Sequence, residues 1–126
     1  MPHIYKEVRA LQNTEKVGDG ECVTLVKKFT KLGWTGSWKE GIPVVGNRQI
    51  EQGTAVATFV DGKWPGKSTG NHSGFYMGQV SDGIYIMEQW PKKKMIGKRF
   101  IRRKGKDKNG NYITPEDNAD AFSVIE

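Results

Sequence analysis

Cys22 is the only cysteine in the chain, and it lies in the run Gly18-Asp19-Gly20-Glu21-Cys22-Val23-Thr24-Leu25-Val26. Fifty residues later comes His72, one of two histidines. A thiol at the start of a helix has a physical route to reactivity, because unpaired backbone N–H groups and the positive end of the helix dipole favour the thiolate. A histidine folded alongside it completes a Cys-His pair suited to acyl transfer. Such an imidazole needs a carboxylate or amide to fix its tautomer and support its charge. Met87-Glu88-Gln89-Trp90 supplies both kinds. Each residue also has a plain structural role open to it. Cys22 is in phase with Leu25, Val26 and Phe29 and so fits a buried small hydrophobe. His72 fits a satisfied core histidine, and Glu88 a solvent-facing strand residue.

The elements that must position these groups follow from periodicity. Residues 3–11 read as a short helix or an extended arm. Asp19 or Gly20 can cap the next element, in which Cys22, Val23, Leu25, Val26, Phe29 and Leu32 keep helical spacing and Gly33 ends the helix. Residues 33–53 read as a long, glycine-rich connection holding Trp34 and Trp38. From Thr54 the pattern is β, with a strand over 54–60 ending at Asp61-Gly62 and a loop from Trp64 to Asn71. Strands over 73–80 and 84–90 form a hairpin around Ser81-Asp82-Gly83. Strands over 96–103 and 112–114 flank an Asn109-Gly110 turn, and 121–125 is a last strand. One helix bearing the cysteine, packed on an antiparallel sheet, is an α+β layout. The hairpin register decides which residue faces His72: a two-residue turn puts Gln89 there, a three-residue turn Glu88.

The bulk composition bounds the function. The 126 residues make a single domain, 1–126, with no room for a second core. Aromatic residues are 10% of the chain, which argues against disorder. No apolar stretch approaches the ~20 residues of a membrane span, and the first residues, Met1-Pro2-His3-Ile4-Tyr5-Lys6, have no apolar core of a signal peptide. One cysteine excludes a disulfide framework and a multi-cysteine zinc site, and no cofactor is expected. The net charge of +6 is local: residues 91–108 hold ten of the twenty Lys and Arg against one acid, Asp107. That run is either a solvated edge or a contact for a polyanion. Two further motifs fail on spacing. Pro65-Gly66-Lys67-Ser68-Thr69 lacks the earlier glycine of a phosphate loop, and 107–118 lacks the glycine and closing glutamate of a calcium loop.

The order of these pieces resembles the CHAP family of cysteine, histidine-dependent amidohydrolases and peptidases, within the NlpC-type, papain-like hydrolases. In that family a cysteine heads a helix, a histidine opens the first of two adjacent strands, and a Glu-Gln-Asn motif ends the next. The sixteen-residue step from His72 to Glu88 suits that hairpin. The resemblance spans about residues 18–90, and Trp90 departs from it by standing where the family often has Asn. The ending Asp120-Ala121-Phe122-Ser123-Val124-Ile125 is similar to that of small bacterial CHAP-like proteins, several akin to type VI secretion amidases.

The resemblance implies a papain-like fold, with Cys22 as nucleophile, His72 as base and Glu88 as the orienting residue. Gln89 and Asn71 would be supporting residues, and Trp34, Trp38 and Trp64 are candidates to line the groove. The implied substrate is the peptide stem of peptidoglycan, reached without a cleavable signal peptide and attacked in the periplasm or wall of a target cell. Secretion machinery and a cognate immunity protein are implied partners; nucleic acid is not expected. Two other readings are a catalytically silent module binding anionic wall polymer or nucleic acid through residues 92–108, and acyl transfer to an amine instead of water.

Overall fold

The helix that carries Cys22 is shorter than its apolar spacing predicts. In the computed structural model, which describes residues 1–126, α1 spans Cys22–Phe29 and ends before Leu32 and Gly33 are reached. Thr30 stops it. Its hydroxyl donates to the Val26 carbonyl at 2.6 Å and accepts from the Leu32 N–H at 3.1 Å, taking the place of the next helical turn. The turn leading into α1 uses Gly18 and Gly20 at φ of 57° and 82°, conformations that side chains rarely adopt. Asp19 between them ties this turn to the helix, accepting from the Glu21 N–H at 3.0 Å and from the Thr24 hydroxyl at 2.6 Å. Glu21 itself occupies the N-cap position and makes no side-chain cap.

Six strands form one antiparallel sheet: β1 (Glu40–Pro43), β2 (Ala55–Thr58), β3 (Ser73–Val80), β4 (Gly83–Glu88), β5 (Gly97–Arg102) and β6 (Phe122–Ile125), in the order β1-β6-β2-β3-β4-β5. Both faces are covered. On one, Leu25 and Val26 of α1 pack with Val8, Leu11, Ala55, Phe75 and Met87. On the other, Val44 from a loop and Ala119 from the 3-10 turn Ala119–Ala121 pack with Val56, Tyr76, Ile84, Ile101 and Phe122. Double coverage explains why β2 is buried at every position and reads as a continuous small, apolar run.

Two of the connecting segments differ from the sequence expectation. The connection over 33–53 contains strand β1, which pairs with β6 through a register shift. Residues 112–114 form no strand; only an isolated bridge joins Lys106 to Tyr112, and a 3-10 turn follows at Pro115–Asp117. Thr114 takes a left-handed φ of 43° ahead of Pro115, which ends any pairing, and β5 is left as a sheet edge. Near the N-terminus both expected forms occur in part: Ile4 bridges Thr54, and Val8–Leu11 is a 3-10 turn.

The β3–β4 hairpin turns through Ser81-Asp82, since Val80 pairs with Gly83. That two-residue turn alone would bring Gln89 to the His72 face. The register shifts between Tyr76 and Gly78, so that Phe75 opposes Met87, one residue out of step with the Gln79–Ile84 pair. The extra residue returns Glu88 to the face of His72. Gly78 permits this shift at φ 147°.

Candidate active site

Cys22 is the first residue of α1, so its backbone N–H lacks an intrahelical partner and is free to donate. His72 stands one residue before β3 and is 5% exposed; Glu88 ends β4 and is 0% exposed. The two side chains meet at 2.7 Å, His72 Nε2 to Glu88 Oε1. The other ring nitrogen, Nδ1, is not engaged by Glu88, and the Cys22 thiol is near enough for the two groups to shift each other's titration. The ring is held between Trp90 and Phe122, both edge to face, at centroid distances of 6.1 and 6.4 Å.

Each group's protonation follows from its neighbours. Burial pushes the Cys22 thiol up, but the contacts with His72 and with Ser73 outweigh it, and the thiol titrates below its ordinary value. Burial opposes the charge on His72, yet the sulfur and the Glu88 carboxylate both favour the imidazolium and push it up to about 9. Glu88 is likewise held below the usual carboxylate range, because His72 and Arg99 outweigh its burial. The arrangement favours a thiolate–imidazolium pair backed by a carboxylate.

Glu88 Oε1 is spent on His72, and its second oxygen has its own partners. Arg99 Nε donates to Oε2 at 2.7 Å, and Lys93 Nζ lies 3.6 Å from it. Arg99 then reaches Asp117 through Nη1 and the Glu116 carbonyl through Nη2. Arg99 and Lys93 both lie over the Trp90 ring, at 5.5 and 4.6 Å from its centroid. Arg99, Asp117 and Trp90 are functional neighbours that periodicity does not find. Arg99 opposes Ile86 across β4–β5 and so shares a face with Glu88, but this parity is visible only once both registers are known.

The supporting residues expected from sequence have other work. Gln89 makes no hydrogen bond to His72. It is 0% exposed, accepts from the Val17 N–H at 2.9 Å, and donates to the carbonyls of Val17 and Glu21 at 3.0 and 2.8 Å. It therefore pins the turn that delivers Cys22. Asn71 closes its own loop by accepting from the Lys67 N–H at 2.8 Å. Of the tryptophans, Trp38 is a core residue whose ring N–H donates to the Gly33 carbonyl, and Trp64 packs edge-on against it at 5.3 Å. Trp34 is 76% exposed. The aromatic beside the histidine is Trp90.

A cavity of about 360 Å³ opens there, lined by Asn71, His72, Trp90, Arg99, Glu116 and Asp117 among others. A hollow of about 240 Å³ between Ile4, Ile42, Ile50 and Val124 contains none of the three reactive candidates. No group of three or more His, Cys, Asp or Glu side chains is placed to hold a metal ion. No helix is long and apolar enough to cross a membrane. Half of the ten basic residues in the run have acidic partners in the fold. Lys93 and Arg99 face Glu88, Arg102 faces Asp82, Arg103 faces Asp120, and Lys104 faces Asp117.

Comparison with known proteins places this chain in a group. Residues 6–125 match the family model described as domesticated amidase effector 2. A type VI secretion amidase effector 2 protein of Salmonella typhi is 40% identical over 133 aligned positions that cover all of both chains. A domesticated amidase effector 2 of Ixodes scapularis is 37% identical over 112 positions, covering 84% of this chain and 70% of its own. Among solved structures, a type 6 secretion amidase effector 2 superposes with a TM-score of 0.92 at 39% identity, covering 98% of this chain and 93% of its own.

Proposed function

The chain belongs to the domesticated amidase effector 2 family, and from that membership we propose that it is a secreted antibacterial amidase that cuts peptidoglycan by a Cys22–His72–Glu88 thiol mechanism. It has the papain-like α+β fold of the matching amidase effector structure. The observation that carries the residue assignment is the placement of one buried imidazole between the lone thiol and a buried carboxylate.

His72 takes the Cys22 proton, and the thiolate attacks the amide carbonyl carbon. The backbone N–H of Cys22, the first of the helix, is available to hold the oxyanion. Collapse of the tetrahedral intermediate breaks the C–N bond, and His72 returns its proton to the leaving amine. Water, deprotonated by His72, then releases the acyl group and regenerates the thiol. Glu88 holds the ring tautomer and offsets its charge throughout.

The substrate is read as the peptide stem of peptidoglycan, cut within the peptide or at the amide that joins it to the glycan. Delivery by secretion machinery into a target cell's wall, a cognate immunity protein in the producer, and action as the single domain 1–126 belong to the same reading. The binding-module alternative is not favoured: the homologues are named amidases, and five of the basic side chains it would use already face acids.

Purified sacculi incubated with the protein and resolved by mass spectrometry test the reading. Expected are muropeptides heavier by one water per cut from the wild type and none from Cys22→Ala. Continued cleavage by Cys22→Ala would overturn it, and products carrying an added amine would reassign the reaction as transfer.

A further inference from the structure

Ser73 is the residue between His72 and Gly74, and it opens β3 opposite Ala57. It is 0% exposed. Its Oγ is the one buried side-chain nitrogen or oxygen in the chain that has no hydrogen-bond partner. The other buried polar side chains near it are satisfied: Glu88 bonds His72 and Arg99, Gln89 makes three bonds, and the Thr58 hydroxyl accepts from the His72 N–H. An orphaned buried hydroxyl costs free energy that an alanine of nearly the same shape would not. Packing alone therefore favours alanine at this position.

Ser73 shares the face of Phe75, which packs with Leu25 and Val26 of α1, so its hydroxyl lies on the side of the sheet covered by the helix that Cys22 begins, and the thiol's titration responds to it. A neutral thiol is a poor acceptor, whereas a thiolate is a good one and makes a charge-assisted bond. Catalytic hydrogen bonds are commonly long or misaligned at rest and tighten when charge develops. The serine hydroxyl thus gains a strong acceptor only when the sulfur carries charge.

We propose that Ser73 is a catalytic residue: its buried hydroxyl is held as a donor to the Cys22 thiolate, a second donor beside the His72 imidazolium. The hydroxyl keeps its own proton, and no covalent bond to Ser73 forms or breaks. Because the bond strengthens only as the sulfur gains charge, it favours the proton transfer from Cys22 to His72. This inference rests on Cys22 being the nucleophile.

The test compares full-length wild type and Ser73→Ala by thiolate ultraviolet absorbance against pH, by melting temperature, and by the rate of sacculus clearing. In Ser73→Ala the thiol midpoint rises by about one unit and the clearing rate at neutral pH falls roughly tenfold. The melting temperature holds or rises, since an unsatisfied group has been removed. A lowered melting temperature with an unchanged midpoint makes Ser73 structural and overturns the proposal. A midpoint depressed equally in both proteins overturns the serine's role alone. A wild-type thiol with an ordinary midpoint overturns the nucleophile assignment beneath it.

Discussion

Glu88 is a carboxylate with no exposure to solvent, and it stays ionised because each of its oxygens has a cationic or cation-forming partner. Arg99 is the fixed charge among them. Nε holds Glu88 while Nη1 and Nη2 hold the Asp117 carboxylate and the Glu116 carbonyl, so the guanidinium is itself anchored. A lysine could not make these parallel contacts. Replacing Arg99 by Met leaves a buried carboxylate short of its cation. The expected cost is about 3 kcal/mol of stability at neutral pH, read by urea denaturation. The sign with pH is also fixed. Glu88 has a depressed folded value, so its contribution is present above about 4.5 and lost as pH falls through the folded value. The deficit of Arg99→Met relative to wild type therefore shrinks in acid. A deficit that is constant with pH would show that Arg99 acts by packing.

At the scale of elements, the sequence is most legible where a residue type and its local setting suffice. The cysteine at a helix start needs only the turn before it and the apolar spacing after it. The histidine before a strand needs only the small residues around it. The choice between Glu88 and Gln89 was not legible from the hairpin turn, because it depends on a bulge four residues inside β3. Turn length and bulge act in opposite senses on register, and only their sum places the carboxylate. Strand β1 was hidden because four residues, exposed or half-exposed, carry no alternation that marks a strand. The role of Gln89 was hidden because its partners are main-chain groups of residues 17 and 21, some seventy positions away. Gly78→Val tests the bulge. A branched side chain at φ 147° costs about 1–3 kcal/mol, and relief by slipping the register withdraws Glu88 from His72. The expected result is a lowered denaturation midpoint together with a thiol that titrates nearer its ordinary value. Loss of stability with an unaltered thiol would mean the bulge does not set the site.

At the scale of the whole molecule, the site is built where the helix start, the head of β3 and the end of β4 converge, and the sheet's two covered faces hold that junction. Stability is therefore linked to the charge state of the site. His72 is raised from 6.5 in the unfolded chain to about 9 in the fold, so its contribution is fully present below about 6.5 and lost as pH rises through about 9. Cys22, depressed by the same pair, contributes in the opposite sense, so the His72 loss is read in Cys22→Ala: its melting temperature should fall as pH rises above about 6.5, and the fall should be absent when His72 is also replaced by Ala. An equal fall in both proteins would place the titrating group elsewhere.

The central claim is that Cys22 and His72 share a proton as a reactive pair. The most direct measurement is the rate of Cys22 alkylation by iodoacetamide as a function of pH, in wild type and in His72→Ala. The account predicts a wild-type midpoint well below the free-thiol value of ~8.5, rising toward that value when His72 is removed. A slow thiol with an ordinary midpoint, the same in both proteins, would contradict it and leave Cys22 a buried structural residue.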